Sequence, residues 1–242
     1  MSPQSQATLK PRKLPVQARS VASVDAILEG TVQVLLQVGK ERLTTTRVAA
    51  RAGVSVGTLY QYFPNKGALL QAVLRRHLDS VSDAIEVVCK QRKGERLRPM
   101  ITALITTFLA AKMRDGKTSV ALYSVSSDVD GQKIAQQSSL RANKSIVRML
   151  SSSSEPLTTD VQLAASLIQG MMAGVSRRIL EGDAPQKLLE MMRGELVLAA
   201  CTYIDACTAA LPTHKTRSRI AHPIAKHPTR TERNVHESMT IH

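Results

Sequence analysis

The sequence predicts an all-α fold of about nine helices. Apolar residues recur at the spacing of helix turns along most of the chain. No segment shows the alternation of apolar and polar residues that a half-buried strand requires, and glycine, proline and polar clusters separate the helical patterns. We therefore expect an N-terminal three-helix domain with a helix-turn-helix, followed by a longer helical domain.

Start and stop signals give the order of the elements. In the first domain, Gly39 ends the first helix, Gly53 ends the second and Pro64 follows the third, while the threonines at 44–46 and Ser55 supply capping oxygens. Asn65 then caps a long fourth helix. The expected helices of the first domain span residues 20–39, 46–52 and 56–62. Those of the second domain span about residues 66–93, 99–113, 119–126, 132–150, 159–180 and 186–209.

Composition changes sharply at both ends of the chain. Residues 1–16 form a basic arm with three prolines, and residues 212–242 are rich in Thr, Pro, His and Arg without periodicity, so both segments are expected to be disordered. The domains between them are predicted to span residues 17–64 and 65–211.

Positive charge is concentrated in the N-terminal third. The 242-residue chain carries a formal net charge of +14, and residues 1–77 contain 11 Lys and Arg against 3 Asp and Glu. Such a balance indicates a polyanionic partner, either nucleic acid or an acidic membrane surface. The arm at 10–13 either enters a DNA minor groove or is merely solvated, and the basic tail leaves the same two interpretations open.

Other classes of site lack support in the sequence. Cys89, Cys201 and Cys207 fit neither a disulfide framework nor a zinc site, and we interpret them as buried thiols rather than a redox sensor. Five of the six histidines lie irregularly in the tail, which favours solvated side chains over a metal site. No cofactor, metal or catalytic constellation is expected. No apolar run of membrane length and no secretory signal are recognised, so the chain is predicted to be cytoplasmic, with no membrane partner.

The most informative segment spans residues 45–70. Two short helices meet at Gly53-Val54-Ser55, which is typical of a helix-turn-helix. The exposed face of the second helix would show short or hydrogen-bonding side chains that suit a DNA groove. Arg47, Tyr60, Tyr62 and Lys66 are natural phosphate binders, whereas Gln61 can pair with adenine. The methyl groups of Val56 or Thr58 can meet that of thymine. A hairpin that serves only for packing would leave the local charge unexplained.

This segment resembles the DNA-binding domain of the TetR/AcrR family of repressors over about residues 20–75. Shared features include Ala52-Gly53-Val54-Ser55, Gly57-Thr58-Leu59-Tyr60, Tyr62-Phe63 and Asn65-Lys66. The chain departs from many relatives at Tyr62, where they carry His, and at Val56, where they carry a polar or basic residue. The DNA contacts that the resemblance implies fall on Thr46, Arg47, Ser55, Val56, Gly57, Thr58, Tyr60, Tyr62 and Lys66.

For the second domain, the resemblance implies an effector pocket and a homodimer formed by the two C-terminal helices. The residues expected to line the pocket, unless they are plain core, are Leu104, Phe108, Tyr123, Met171 and Met172. The residues expected at the dimer interface, unless the helices are buried within one subunit, are Leu167, Gly170, Gly174, Leu196, Ala200 and Tyr203.

These expectations define one leading function and its competitors. The leading hypothesis is a repressor that binds palindromic double-stranded DNA as a homodimer and is released by an unidentified small-molecule effector. The alternative is an effector-independent DNA-organising protein that uses the same basic surface. An enzyme is not supported, because no catalytic arrangement of residues is recognised.

Overall fold

The computed structural model describes residues 18–182 and 186–208, with side chains from residue 20 and, after the gap, from residue 187. Within this part the chain forms nine α-helices and one 3₁₀ turn, and no strand, so the all-α prediction is confirmed. The basic arm and the whole C-terminal tail, with its five histidines, lie outside the described residues. The helices are α1 (Ala18–Arg42), α2 (Thr45–Ala52), α3 (Val56–Tyr62), α4 (Lys66–Gln91), α5 (Leu97–Met113), α6 (Gly116–Val125), α7 (Gly131–Leu150), α8 (Val161–Glu181) and α9 (Gln186–Ala206).

Polar side chains begin five of these helices. The side-chain oxygens of Thr44, Ser55, Asn65, Asp115 and Asp160 each accept a backbone N–H three residues further on. Each bond satisfies one of the amides that a helix leaves unpaired at its first turn. The caps predicted at Ser55 and Asn65 are therefore confirmed.

Helices α5 and α6 begin earlier than the sequence suggested. Asp115 caps α6, so this helix starts at Gly116 rather than near Ser119. Helix α5 starts at Leu97 and takes Pro99 into its first turn. Proline is tolerated there because the amide it lacks would have no acceptor within the helix.

Helix α1 changes direction at Gly39, where φ is 75° and ψ is 169°. This glycine interrupts the helix as predicted, and a further turn continues to Arg42. The segment Ser20–Arg42 is also long and apolar enough, by length and composition alone, to cross a membrane. The expectation that no segment meets this test is wrong. Ile27 and Leu35, however, are buried in a core shared with α2 and α4, as in a core helix of a globular protein.

Two clusters of buried side chains hold the described helices together. The first joins α1, α2 and α3 to the first turns of α4 and to α6, through Ile27, Leu59 and Leu69 among others. The second joins the remainder of α4 to α5, α7, α8 and α9. Helix α4 belongs to both clusters and begins only four residues after α3 ends. It is therefore the structural connection between the helix-turn-helix and the larger helical core.

All three cysteines are buried. Burial raises the pKa of the Cys89 thiol to about 12, which keeps it protonated and poorly reactive at neutral pH. This agrees with the interpretation of Cys89 as a packed thiol rather than a redox sensor.

Candidate nucleic-acid interface

A glycine makes the turn between α2 and α3. Gly53 adopts the left-handed conformation, with φ 68° and ψ 28°, and its N–H donates to the carbonyls of Ala49 and Ala50. The N–H of Val54 also donates to Ala49 O, at 3.0 Å. These bonds close the end of α2 and direct the chain into the cap at Ser55. The predicted helix-turn-helix is confirmed.

The inner face of this helix pair is apolar. Val48, Ala49 and Leu59 are buried and pack in the first core, with Phe63 behind them. Their spacing leaves the opposite faces of both helices for solvent. The short helices are thus fixed to α1 and α4 by one side only.

The structure places the predicted DNA-contacting residues in two groups. The exposed group carries the side chains and the glycine that can meet a groove or phosphate directly: Thr46, Arg47, Ser55, Gly57 and Tyr60. The half-buried group is Val56, Thr58, Tyr62 and Lys66. Val56 and Tyr62 pack against the first core, which reduces the surface of Val56 that is available for reading bases. Gln61 is exposed.

Hydrogen bonds orient the exposed polar groups before any ligand is present. Ser55 Oγ accepts the N–H of Thr58 at 2.9 Å and lies 2.8 Å from its hydroxyl. The hydroxyls of Tyr60 and Thr45 lie 3.0 Å apart, which ties α3 to the first turn of α2. Thr45 was not among the predicted residues. Its signal in the sequence was its place in the first turn of α2, beside the predicted contact Thr46.

Contacts with the end of α1 fix the position of Lys66. Lys66 Nζ donates to the carbonyl of Lys40 at 2.5 Å. Lys40 Nζ forms a 3.0 Å ion pair with Asp128, in the 3₁₀ turn Ser126–Asp128. The hydrogen bond from Lys40 lowers the pKa of the Asp128 carboxyl, and the same contact raises the pKa of Lys40. Lys66 is therefore held at the edge of the helix-turn-helix by a backbone carbonyl.

A long stretch of sequence around the helix-turn-helix contains basic residues and no acidic ones. Residues 42–78 contain no Asp or Glu and six Lys and Arg. This stretch contains the whole of α2 and α3 together with the first half of α4. Helices α2 and α3, with exposed Arg47, exposed capping hydroxyls and no carboxylate of their own, are suited to the phosphate backbone of DNA.

A separate cavity lies in the larger helical core. It has a volume of about 280 Å³ and is bounded by side chains of α4, α5, α6, α7 and α8. Of the five predicted pocket residues, Phe108, Tyr123 and Met172 line it. Leu104 and Met171 are absent from the wall of this cavity and correspond to the alternative of plain core. Leu104 is fully buried in the second core, and Met171 packs against the outside of that core.

The cavity also contains a residue that the sequence analysis missed. Lys112 lines it and is only 6% exposed. A signal was present, because Lys112 follows Ile101, Ile105 and Phe108 on the apolar stripe of α5. A single lysine in such a stripe indicates a buried cation, which calls for a specific partner.

The two C-terminal helices leave apolar side chains in solvent. On α8, Leu167 is exposed, as are Gly170 and Gly174, in line with the prediction of an available face. On α9, the prediction is wrong for Leu196 and Ala200, because both are buried in the core of their own subunit, and Tyr203 is half-buried against that core. The exposed stripe of α9 is instead formed by Leu188, Met191 and Leu198. Periodicity alone could not tell which of two apolar stripes on α9 faces inward.

Comparisons with known proteins agree with this arrangement. Residues 27–73 match a model of bacterial regulatory proteins of the tetR family, and residues 97–204 match a model of a tetracyclin repressor-like C-terminal domain. A nucleoid occlusion factor SlmA of Photobacterium profundum is 34% identical over 87 residues, which are 35% of this chain and 44% of that protein. An HTH-type transcriptional regulator BetI 2 of Chromohalobacter salexigens is 33% identical over 79 residues, 33% of this chain and 38% of that protein. The chain thus spans less than half the length of both relatives.

Longer matches have lower identity. An uncharacterised HTH-type transcriptional regulator of Mycobacterium bovis is 26% identical over 198 residues, which are 77% of this chain and 96% of that protein. Among solved structures, a TetR-family transcriptional regulator of Mesorhizobium loti superposes with a TM-score of 0.64 at 19% identity, covering 77% of this chain and 98% of the other. A transcriptional regulator of Pseudomonas aeruginosa gives a TM-score of 0.60 at 17% identity, covering 82% and 94%. At these identities the structures establish a shared fold.

Proposed function

The chain belongs to the TetR family of DNA-binding transcriptional regulators, and from this premise we propose that it is a repressor that binds a palindromic operator as a homodimer and is released by a small-molecule effector. The observation that carries the proposal is the acid-free outer face of α2 and α3. A recognition helix places its N-terminal residues at base edges in the major groove. The proposal assigns this role to Ser55, which caps α3, and to the exposed Gly57 in its first turn, with the exposed Tyr60 one turn further on.

The homodimer rests on the exposed apolar side chains of α8 and α9. Leu163 and Leu167, one turn apart on α8, are 61% and 46% exposed, and Met191 and Leu198 on α9 are 59% and 57% exposed. Exposed apolar side chains that share a helix face favour a protein–protein contact. A two-fold axis through these helices presents two recognition helices. Successive major grooves on one face of DNA lie about 34–36 Å apart, so a symmetric dimer reads a palindrome.

Release by an effector rests on the connection between the cavity and α4. Helix α4 lines the cavity through Val81 and Ile85, and its other end follows directly after α3. A ligand that binds one position of α4 better than another shifts the population of DNA-competent dimers. Coupling of ~1–3 kcal/mol between the two sites is typical of such systems. On this proposal the protein works in the cytoplasm, where the DNA is.

Selection of bound sequences from a random DNA pool at physiological salt tests the proposal. We expect one palindrome, preferred over random DNA by about 10³-fold or more. Combined substitution Thr58→Ala, Tyr60→Ala and Lys66→Ala is expected to abolish the preference. Lys144→Ala, an exposed lysine of α7, serves as the charge control and leaves binding unchanged. Unaltered affinity in the triple variant would refute the assignment of the interface.

A second candidate is an effector-independent DNA-organising protein. It is favoured by the 87-residue match to a relative named as a nucleoid occlusion factor. This candidate predicts similar affinity for the selected and the random sequences. The same selection experiment therefore separates the two functions.

A further inference from the structure

A buried lysine lies at one end of the cavity. Lys112 is 6% exposed, and its Nζ lies 5.0 Å from the centroid of the Tyr123 ring. A cation above an aromatic face gains a modest attraction, which leaves the ammonium group free to pair with an anion. Tyr123 lines the cavity and is 41% exposed, so the ring lies where the cavity meets solvent.

Lys112 has no carboxylate partner in the part of the chain that the structure describes. No Asp or Glu oxygen of these residues lies within 4.0 Å of its Nζ, and none of the side chains lining the cavity is acidic. The nearby Asp115 carboxylate accepts the N–H of Thr118 at 3.0 Å and caps α6. A buried cation without a counter-ion is costly, and an anionic ligand removes that cost.

The remaining polar groups of the wall bond to one another. Gln169 Nε2 donates to Ser139 O at 2.9 Å, Ser176 Oγ donates to Ala173 O at 2.9 Å, and the hydroxyls of Ser82 and Ser138 are 2.5 Å apart. The other wall is apolar, with Val81, Ile85, Phe108 and Met172. Within this lining, the Lys112 ammonium is therefore the charged anchor, and the rest of the ligand meets aliphatic and aromatic carbon.

The volume indicates the size of ligand that the cavity accommodates. The cavity of about 280 Å³ equals roughly nine water volumes of liquid, which corresponds to an organic molecule of about ten non-hydrogen atoms. We propose that the cavity binds a small apolar monocarboxylate whose carboxylate pairs with Lys112, and that this chemical class contains the effector. That this class contains the effector rests on the proposed function, whereas the binding of a carboxylate in the cavity does not.

Calorimetric titration of the full-length protein, without DNA, tests the proposal. The probes are octanoate, 3-phenylpropionate and benzoate, each compared with its neutral primary amide. We expect at least one carboxylate to bind at least tenfold more tightly than its amide. In Lys112→Met, which fills the same space without charge, this preference is expected to vanish while the protein remains folded.

Several results overturn the proposal. It fails if no carboxylate of the panel binds, if acid and amide bind equally, or if the preference persists in Lys112→Met. The comparison of acid with amide in the unaltered protein needs no variant, so a folding defect cannot hide the answer. DNA selection is a separate measurement. Specific DNA binding without carboxylate binding refutes only the ligand class, and carboxylate binding without a palindrome refutes only the repressor.

Discussion

The imidazole of His77 and the hydroxyl of Ser119 join α4 to α6, with 3.0 Å between His77 Nε2 and Ser119 Oγ. The Ser119 hydroxyl donates its proton to the carbonyl of Lys112 at 3.2 Å. Nε2 of the neutral ring is therefore the donor towards Ser119. Burial, reinforced by the positive charge of Lys112, lowers the pKa of His77 to about 4 from an ordinary 6.5.

This pKa predicts a pH-dependent stability. Because the folded pKa lies below the unfolded one, the unfolded chain binds a proton first, and stability is lost as the pH falls from 6.5 towards 4. One such group changes the unfolding equilibrium by at most about tenfold per pH unit. Urea unfolding of the protein and of His77→Gln is measured across pH 4–7.5. We expect this contribution to the loss of unfolding free energy in the unaltered protein and not in His77→Gln. Parallel curves would show that another group is responsible.

Gly53 needs to be glycine because its backbone is left-handed, whereas the fold imposes no such requirement on Gly57. A Cβ at Gly57 would meet only Ser55 Oγ, at 3.7 Å, which is ordinary contact. The fold therefore accepts Gly57→Ala, and helix propensity favours alanine by up to about 1 kcal/mol. We expect the variant to be at least as stable, yet to bind the operator at least tenfold more weakly if the α3 backbone approaches DNA closely. Gly116→Ala, whose Cβ meets Leu180 at 3.5 Å, is the control and retains operator affinity. Unchanged affinity in Gly57→Ala would place the backbone of α3 away from the bases.

Most of the fold could be predicted from local signals, because caps and breaks act through the residues beside them. Ser55, Gly53 and Asn65 each specify a boundary by a bond or a dihedral angle within a few positions. The orientation of α9 could not be predicted in this way. Leu196 and Leu198 are equally apolar, and only packing against the neighbouring helices α5 and α8 places one inside and the other outside. For the same reason, only part of the cavity lining could be predicted. Leu104 and Phe108 lie on one apolar stripe of α5, and the packing of the other helices against that stripe decides which of them lines the cavity.

Substitutions of the capping residue Ser55 can distinguish an effect on stability from an effect on DNA binding. Aspartate and asparagine both cap helices well, so Ser55→Asp and Ser55→Asn are each expected to retain the fold, whereas Ser55→Ala is expected to lose ~1 kcal/mol of stability. Aspartate places a negative charge on the DNA-facing surface. We expect Ser55→Asp to bind the operator at least tenfold more weakly than Ser55→Asn. The difference should shrink as salt rises from 50 to 200 mM, because added ions screen the repulsion from phosphate. Fluorescence anisotropy with a labelled operator measures both variants, and equal affinities would place Ser55 outside the interface.

The exposed stripe of α8 supplies the test of the dimer. Leu163 and Leu167 are 61% and 46% exposed, so glutamate at both positions leaves the core of the subunit intact. If these side chains form the interface, the double variant Leu163→Glu and Leu167→Glu buries like charges across the two-fold axis and dissociates the dimer. Leu140→Glu on α7 is the matched control, because Leu140 is 57% exposed and lies on a different helix. Sedimentation velocity is expected to give a folded monomer for the double variant and a dimer for the control. Affinity for a palindrome should fall in the double variant alone, because each separated subunit reaches only one half-site. A double variant that remains dimeric would show that Leu163 and Leu167 of α8 do not form the interface.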